Sequence, residues 1–443
     1  MNRIILIGNG FDLAHGLPTR YEDFINWYWD QWGRILYSSS NKNETDQFCS
    51  FRLKESVGLA GWYLVWQWHY QQAIQLQQLT PRNLIELVKN DNNVCEFKLT
   101  SLLFSQICKS IETKGWVDIE NEYYSLLKKC VIENKENELT AEVLNCHLSY
   151  IQNLLIGYLS SVTGENIQLN PNIKNLIYQP INFNDVSIGN RQAFFDHCDA
   201  LASANEGDWL YRMRQYGIDD TFLRIDYNDL KEKNTYQLPN GEHKVCDYSK
   251  IPNHYIRPFH VMLLSFNYTP ISDWYNLNGI GFTNHIHGNL SQPDNIVFGY
   301  GDELDEDYNK ILRLNDNEFL KHIKSIRYLE TPNYRQVLDF IESAPYQIYI
   351  MGHSCGNSDR TLLNTLFEHK NCVTIKPFYH KLENGTDNYM EIVQNISRNF
   401  TDMKLMRDRI VNKTFCEPLP QSKYNGTTDR PTKSAEVNKI SKE

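Results

Sequence analysis

Short apolar runs lie near both ends of the chain, and they predict a buried sheet. The run over residues 3–7 ends at Gly8, and such a run bounded by a turn residue is typical of a strand that is covered on both faces. Comparable runs occupy residues 259–266, 295–298, 347–351 and 373–378. Strands at both ends of a chain, with helices between them, favour one parallel sheet in an α/β fold.

Between these runs, apolar positions recur at spacings of three and four, which is typical of amphipathic helices. This pattern predicts helices over residues 19–37, 84–88, 102–111, 123–131 and 143–159. Thr19 and Glu22 fit a capping box at the start of the first helix. Residues 222–225 form a separate strand-like segment within an Asn-rich, irregular stretch.

Composition narrows the possible partners. The chain has 443 residues, of which 41% are hydrophobic, and a net charge of −10, which argues against general nucleic-acid binding because such binding needs a basic surface. No apolar run reaches the roughly 20 residues of a membrane span, so no membrane partner is expected. The ten cysteines form no Cys-x-x-Cys pair, so we expect no metal site and reduced thiols in the cytoplasm. A homo-oligomer is compatible with this composition.

The first candidate site follows the first apolar run. It consists of Gly8, Asn9, Gly10, Phe11 and Asp12. Glycines at such a turn let backbone N–H groups approach a phosphate at the N-terminus of the following helix. The pattern predicts a Rossmann-like nucleotide site, although Leu13 stands where the usual fingerprint has its third glycine. A plain tight turn is the alternative, and we expect Asp12 either to cap the helix or to contact a ribose hydroxyl.

Four further motifs follow this turn along the chain. Gly16-Leu17-Pro18 lies six residues after Gly10, which reproduces the sirtuin spacing. The segments around Asn267 and His287 are similar to those that carry the sirtuin catalytic-site asparagine and catalytic histidine. Near the C-terminus, the residues similar to the sirtuin contact with the far end of the nucleotide are Gly352, His353 and Ser354. The resemblance implies a sirtuin-like pocket in which His287 and Asn267 are catalytic.

The chain departs from sirtuins in one respect, since it lacks the paired cysteines of their zinc module. Protein deacylation is therefore not expected. Sirtuin-like proteins of phage defence also lack that module, and the resemblance to them implies cleavage of the nicotinamide–ribose bond of NAD, NADP or a related nucleotide, with no cofactor required. A histidine such as His287 suits a general base near neutral pH, and Asn267 could hold a ribose hydroxyl or the attacking water.

The run from Ile7 to Phe24 resembles, without a gap, the beginning of the AbiH family, bacterial proteins associated with abortive phage infection. Trp116, followed by two acidic residues, resembles a helix start of that family. The resemblance implies a defence protein with a phage or host protein as its trigger. It also suggests a set of possible pocket residues: His285, Asp118, Glu120 and Asp359. The alternative for His285 is packing, and for the two acids at the helix start it is a favourable interaction with the helix dipole.

These observations together predict a Rossmann-like, sirtuin-like parallel sheet with a large, mostly α-helical insertion. Residues 1–50 would begin the nucleotide-binding domain, and residues 256–416 would complete it. Residues 51–255 would form the helical insertion and an irregular segment. Residues 417–443, which are polar and rich in Pro, Ser and Lys, would form a disordered tail.

Two other functions remain open at the level of sequence. Gly352-His353-Ser354-Cys355-Gly356 follows a predicted strand and fits the nucleophile elbow of a serine hydrolase. Such an enzyme needs an acid and then a histidine further along the chain, and only Asp359 followed by His369 or His380 offers them. The other possibility is a module without enzymatic activity, which senses a nucleotide and binds a phage or host protein.

Overall fold

The computed structural model shows a mixed α/β protein, which confirms the predicted class. It describes residues 1–38, 43–54, 95–114, 117–132, 139–164, 167–218, 220–252 and 255–422. In chain order the strands are β1 (Asn2–Ile7), β2 (Asn43–Thr45), β3 (Cys49–Leu53), β4 (Cys95–Leu99), β5 (Thr235–Gln237), β6 (His243–Val245), β7 (Val261–Ser265), β8 (Gly281–His285), β9 (Tyr346–Met351) and β10 (Cys372–Phe378).

The helices lie on both sides of the main sheet and between its strands in the sequence. They are α1 (Asn9–Ala14), α2 (Tyr21–Ser38), α3 (Leu102–Lys114), α4 (Ile119–Ile132), α5 (Ala141–Val162), α6 (Pro171–Ile177), α7 (Arg191–Ser203), α8 (Glu206–Gln215), α9 (Asp220–Lys233), α10 (Glu306–Arg313), α11 (Lys324–Arg327), α12 (Asn333–Ser343), α13 (Arg360–Glu368), α14 (Tyr389–Arg398) and α15 (Met403–Arg409). None of these described helices is long and apolar enough to cross a membrane.

Five strands form one parallel sheet in the order β8-β7-β1-β9-β10. Ile4 on β1 pairs with Met262 on β7 and with Ile348 on β9, so β1 is the central strand. The chain builds the sheet outward from β1 in one direction, through β7 and β8, and then in the other, through β9 and β10. In open parallel sheets, ligands bind outside the carboxyl ends of the strands where the order reverses. In this sheet that point lies between β1 and β9.

Both faces of the sheet are covered, which explains the unbroken apolar run in β1. On one face, Ile4 joins a core that includes Val337 of α12 and Leu363 of α13. On the other face, Ile5 joins a core that includes Phe11 of α1. Every residue of β1 is buried. A strand between two helical layers needs apolar residues at successive positions, because neither face meets water.

The helical layer, by which we mean α2, α3, α4 and α5, has its own aromatic core. Trp29, Phe104 and Tyr123 are fully buried in this core. Ile296 and Phe298, which follow β8 in the sequence, are buried in the same core. The chain that leaves the carboxyl end of β8 therefore packs against the helical layer. This packing brings the start of α4 close to the carboxyl edge of the sheet.

Two predicted strands are wrong, and the structure contains further strands that the sequence did not predict. Residues 222–225 lie within α9 rather than in a strand. Residues 295–298 form no strand. They follow a 3₁₀ turn at Pro293–Asn295, and the Val297 N–H donates to the His287 carbonyl over 2.9 Å. The structure adds β8, whose sequence GFTNH is too polar to be recognised as a buried strand. Strand β4 lies in the region predicted as helical, and strands β5 and β6 lie in the segment predicted as irregular.

The first long helix begins later than the predicted capping box. Tyr21 is the first residue of α2, and the Arg20 N–H donates to the Asp23 carboxylate over 3.0 Å. Thr19 does not cap the helix, because its hydroxyl donates to the Asn9 side chain over 2.5 Å. The helices predicted over residues 102–111, 123–131 and 143–159 are confirmed. Residues 84–88, Trp116 and residues 423–443 lie outside the described residues.

Candidate functional site

The turns after β1 and β9 touch each other at the carboxyl edge of the sheet. The Gly10 N–H donates to the Gly352 carbonyl over 2.9 Å. A Cβ atom on Gly8 would lie 2.5 Å from the Cα of His353, which is closer than real Cβ contacts come. Gly352 has a positive φ of 78°, and a Cβ atom there would lie 2.1 Å from the Phe11 nitrogen. The glycines at these turns are therefore required for two backbone segments to approach each other, and this approach fixes the position of His353.

These contacts use the backbone N–H groups that were predicted from the sequence to bind a phosphate. Gly10 donates to Gly352, and the Phe11 N–H donates to the Gly8 carbonyl over 2.8 Å. Asn9 is exposed, and its side chain accepts the Thr19 hydroxyl. Two N–H groups in the first turn of α1 are thus already bonded within the protein. The contact of Gly8, Asn9 and Gly10 with a nucleotide phosphate stays a prediction.

Asp12 and Asn267 form a buried polar pair beside these turns. Asp12 is 2% exposed, and its two carboxyl oxygens bond to the Asn267 amide over 2.9 Å and the Thr269 hydroxyl over 2.7 Å. The Asn267 amide also donates to the Gly8 carbonyl over 3.0 Å. Burial raises the pKa of Asp12 to about 7, although both hydrogen bonds act in the opposite direction. Asp12 thus ties the end of β7 to the first turn, and both amide hydrogens of Asn267 have protein acceptors.

A cluster of ionisable side chains surrounds Asp359, and we call it the Asp359 cluster. One carboxylate oxygen of Asp359 lies 3.2 Å from Nε2 of His287 and 2.8 Å from Nζ of Lys324. The other oxygen lies 3.6 Å from Nε2 of His353. Lys324 also donates to Glu120 over 2.8 Å. Asp359 therefore joins the segment after β8, α11 and the turn after β9, and Lys324 extends the cluster to the start of α4.

Charge compensation explains how these groups can be buried together. Lys324 has no exposed surface, and burial opposes its charge, but Asp359 and Glu120 outweigh burial and raise its pKa. The pKa of Asp359 is held well below its usual range, because Lys324 and His287 together overcome burial. Burial raises the pKa of Glu120 to about 7, and the negative charge of Asp359 adds to that rise. At neutral pH the cluster thus contains a charged Lys324–Asp359 pair beside a carboxyl near its titration point.

His287 is held in its neutral form by this environment. Burial and the positive charge of Lys324 lower its pKa to about 4. Its Nε2 atom lies 3.2 Å from the Asp359 carboxylate and 3.2 Å from the Tyr328 hydroxyl. Because an ionised carboxylate can only accept, we assign the ring proton to Nε2. This assignment leaves the lone pair on Nδ1, to which no described residue donates a hydrogen bond.

His353 takes the corresponding tautomer through a backbone contact. The Cys355 N–H donates to Nδ1 of His353 over 3.0 Å, so the proton of the neutral ring is on Nε2 and faces Asp359. Phe266 separates the two histidines, with its ring centroid 5.2 Å from that of His287 and 4.1 Å from that of His353. The two imidazole rings are therefore fixed in orientation on either side of one carboxylate and one aromatic ring.

Comparison with known proteins gives the family of this chain. The sequence model described as "Bacteriophage abortive infection AbiH" matches residues 4–380, which include β1, the Asp359 cluster and β10. The chain belongs to the AbiH family. Its membership assigns the chain to bacteriophage abortive infection. No curated protein and no solved structure matches the chain, so the likeness to sirtuins rests on the motifs alone.

The structure places the remaining predicted residues of this AbiH chain outside the Asp359 cluster. His285 points to a different partner, because its Nε2 atom lies 3.0 Å from Asp273. Asp118 accepts the Asn121 N–H over 3.0 Å and so caps α4, which supports the helix-start alternative for this residue. Its carboxylate forms no hydrogen bond to the described side chains of the cluster. Burial raises its pKa, and the charges of Lys324 and Asp359 also act on that pKa. Ser354 is exposed to solvent. Of the four possible pocket residues, only Glu120 and Asp359 thus join His287 and His353.

The serine hydrolase alternative lacks its catalytic pair in the part of the chain described. No described histidine lies within hydrogen-bonding distance of the Ser354 hydroxyl, since His353 faces Asp359 and Cys355. The non-glycine residue with positive φ in the turn is Cys355, at 54°, rather than Ser354. His369 pairs with Glu342 instead of approaching the turn. The Gly-x-Ser-x-Gly pattern here forms the turn that presents His353.

Sequence reasoning missed two members of the site, Lys324 and Tyr328. Lys324 lies on α11 and Tyr328 in the turn after it, and neither residue belongs to a motif. The Lys324 N–H donates to the Tyr300 carbonyl over 2.9 Å, which holds α11 beside the cluster. No spacing along the chain indicates this contact. Among the described residues, no group of three or more His, Cys, Asp or Glu side chains is arranged to hold a metal ion.

Proposed function

We propose that this AbiH chain acts in phage defence as a hydrolase that cleaves the nicotinamide–ribose bond of NAD, NADP or a related nucleotide, with His287 as the general base. The observation that carries the proposal is the Asp359 carboxylate, which contacts His287, His353 and Lys324 at the edge where parallel sheets bind ligands. A carboxylate that orients a neutral histidine is the arrangement from which a histidine can take a proton from water.

The chemistry follows from the protonation states. Cleavage of the nicotinamide–ribose bond builds positive charge on the ribose, and water must lose a proton as it attacks the ribose carbon. Nδ1 of neutral His287 can accept that proton, and Asp359 then stabilises the imidazolium that forms. Nicotinamide leaves as a neutral molecule with the bonding electron pair. Asn267 has its amide hydrogens engaged, so it would contact a ribose hydroxyl through its carbonyl oxygen alone.

The test compares two histidines that lie two residues apart. Purified wild type, His287→Asn and His285→Asn are incubated with NAD, NADP and ATP, and the release of nicotinamide and phosphate is followed. We expect wild type to release nicotinamide and His287→Asn to lose at least about 100-fold in rate, the usual size of a general-base contribution. His285→Asn, whose partner is Asp273, should keep the wild-type rate.

A second candidate function is nucleotide sensing without turnover. The burial of His287, at 4% exposure, and of Asp359, at 8%, favours a closed polar core over an open catalytic cleft. Nucleotide binding with no consumption of NAD, NADP or ATP, even after a lysate of phage-infected cells is added, would support sensing and refute the hydrolase. A phage plaque assay with the same variants then shows whether His287 matters for defence in either case.

A further inference from the structure

A cavity lies at the opposite edge of the sheet from the Asp359 cluster. It has a volume of about 370 Å³ and lies between α7, α8 and the segments that lead into β7 and β8. Its wall includes Trp209, Tyr211, Arg212, Phe259 and His260. Since β7 and β8 each have five residues, roughly 15 Å of strand separates this cavity from the carboxyl edge. We call it the Arg212 groove.

The Arg212 guanidinium has donors and no acceptor. Its carbon lies 4.2 Å from the ring centroid of Phe259, so the guanidinium stacks on that ring. No described residue accepts a hydrogen bond from it, and its Nη1 atom is buried without a partner. Trp209, another wall residue, also has a buried indole N–H without a partner. Buried donors without acceptors are costly and uncommon in folded proteins, and Arg212 and Trp209 leave two such donors beside the groove.

The nearest acid on the same helix does not neutralise Arg212. Asp208 lies four residues earlier on α8, a spacing at which ion pairs form on helices. Here the two side chains form no ion pair, and the Asp208 carboxylate instead accepts the Asn205 amide over 2.5 Å. Asp208 also lines the groove, and its charge favours the charged form of Arg212, but it leaves the N–H donors of Arg212 to another partner.

The groove wall carries one acid, Asp208, and two basic side chains, Arg212 and His260. Partial burial of the His260 ring together with the charge of Arg212 lowers the pKa of His260. An anion bound beside His260 would favour the charged ring and raise that pKa again. A guanidinium stacked on an aromatic ring presents a planar fork of N–H groups, which matches the oxygens of a carboxylate or a phosphate.

We propose that the Arg212 groove binds a small molecule through an oxyanion, either a carboxylate or a phosphate. The oxyanion accepts hydrogen bonds from the Arg212 guanidinium, and the side chains of Tyr211 and Phe259 contact the apolar body of the ligand. The volume lies in the range of about 300–1,000 Å³ that is usual for small-molecule sites. This site shares no residue with the Asp359 cluster, so it does not depend on the proposed hydrolase activity.

Two probes distinguish the oxyanions. Wild type is titrated with pyrophosphate and with succinate by isothermal titration calorimetry, with sodium chloride at matched ionic strength as the reference. The variants are Arg212→Gln, Arg212→Met, which keeps the stem on Phe259, and the control Arg214→Gln. Arg214 is exposed on the same helix and does not line the groove. Melting temperatures confirm that each variant is folded.

We expect one probe to bind wild type and Arg214→Gln with the same affinity, and both Arg212 variants to bind it at least about tenfold more weakly. The probe that binds identifies the oxyanion. A wild type that binds neither probe at roughly 10 mM overturns the proposal, and so does equal binding by the Arg212 variants.

A second measurement uses the wild type alone and follows the His260 imidazole by nuclear magnetic resonance. The pKa of His260 must rise when an anion binds beside it. An unchanged pKa at saturating probe also overturns the proposal.

Discussion

The Lys324 amine contacts both acids of the Asp359 cluster, Glu120 and Asp359, so replacing Lys324 tests the charge balance of the cluster directly. We expect Lys324→Met to lower the free energy of unfolding by about 3–5 kcal/mol, because it leaves Glu120 and Asp359 buried without their cation. Urea unfolding measures this change. The double variant Glu120→Gln/Lys324→Met should recover part of the loss, because it removes one of the two uncompensated carboxylates.

An exposed lysine provides the matched control for that prediction. Lys310 pairs with Asp307 over 2.6 Å, and its side chain is 65% exposed. Lys310→Met should change stability little, because water and salt already screen the pair. Equal losses in Lys310→Met and Lys324→Met would contradict the view that buried charge compensation holds the cluster together.

Asp12 predicts a pH dependence of stability. Its pKa is about 7 in the folded chain and about 3.8 when unfolded. Between these values the folded chain holds a proton that the unfolded chain has released, so the stabilisation is complete below about pH 4 and is lost as pH rises toward 7. Asp12→Asn cannot titrate, so wild type should lose about 1–4 kcal/mol relative to this variant between about pH 5 and pH 8.

The measurement for Asp12 is the free energy of unfolding against pH, for wild type, Asp12→Asn and Asp294→Asn. Asp294 is exposed, so its variant should follow wild type at every pH. His287 acts in the opposite direction, because its lowered pKa adds stability as pH rises from about 4 to about 6.5. Comparison with Asp12→Asn isolates the carboxyl from that effect. Parallel curves for wild type and Asp12→Asn would show that Asp12 is charged in the folded state.

At the scale of elements, the contact between the turns after β1 and β9 gives a third prediction. A Cβ atom on Gly8 would meet the His353 backbone, so Gly8→Ala should lower stability by about 1–3 kcal/mol and displace His353 from Asp359. The control is Gly157→Ala in the middle of α5, where a Cβ atom meets nothing within 4 Å. That variant should gain up to about 1 kcal/mol, because alanine favours a helix. Thermal unfolding of both variants tests these two expectations. A Gly8→Ala variant as stable as wild type would mean that the turns after β1 and β9 can separate.

The elements that the sequence predicted well share one physical property, which is burial on two faces or a clear amphipathic period. β1, β7, β9 and β10 are apolar at successive positions, and α3, α4 and α5 repeat apolar residues at three and four. β8 was missed because an edge strand with the sequence GFTNH needs no continuous apolar run. Residues 295–298 were wrongly assigned to the sheet because their apolar side chains enter the core of the helical layer.

At the scale of the whole molecule, Glu120 connects the helical layer to the sheet. Its carboxylate accepts the Gly299 N–H over 3.2 Å and the Lys324 amine over 2.8 Å. We expect Glu120→Ala to increase hydrogen exchange at the start of α4 and over residues 297–301, because both segments lose a shared buried acceptor. The hairpin of β5 and β6, which lies elsewhere in the fold, should exchange at the wild-type rate. Faster exchange in the hairpin as well would indicate global destabilisation rather than loss of a local connection.

The family, four of the five parallel strands and several members of the site follow from the sequence alone. The run from Ile7 to Phe24 resembles the start of AbiH proteins, and His287, His353, Asp359 and Glu120 were all selected from motifs. Motifs identify such residues because the sequence of a turn or a short segment can be recognised without knowing where that segment lies in the fold. They also selected Asn267 and Asp12, but they gave no indication that these two bond to each other.

Tertiary contacts decide which of these residues act together. Lys324 meets Asp359, 35 residues later in the chain, and Glu120, 204 residues earlier, and no local pattern encodes contacts across such separations. The same holds for the glycines after β1, whose role depends on how closely the turn after β9 approaches. A buried carboxylate takes the partners that the packing of distant elements brings to it, so the composition of the Asp359 cluster is a property of the fold rather than of any segment.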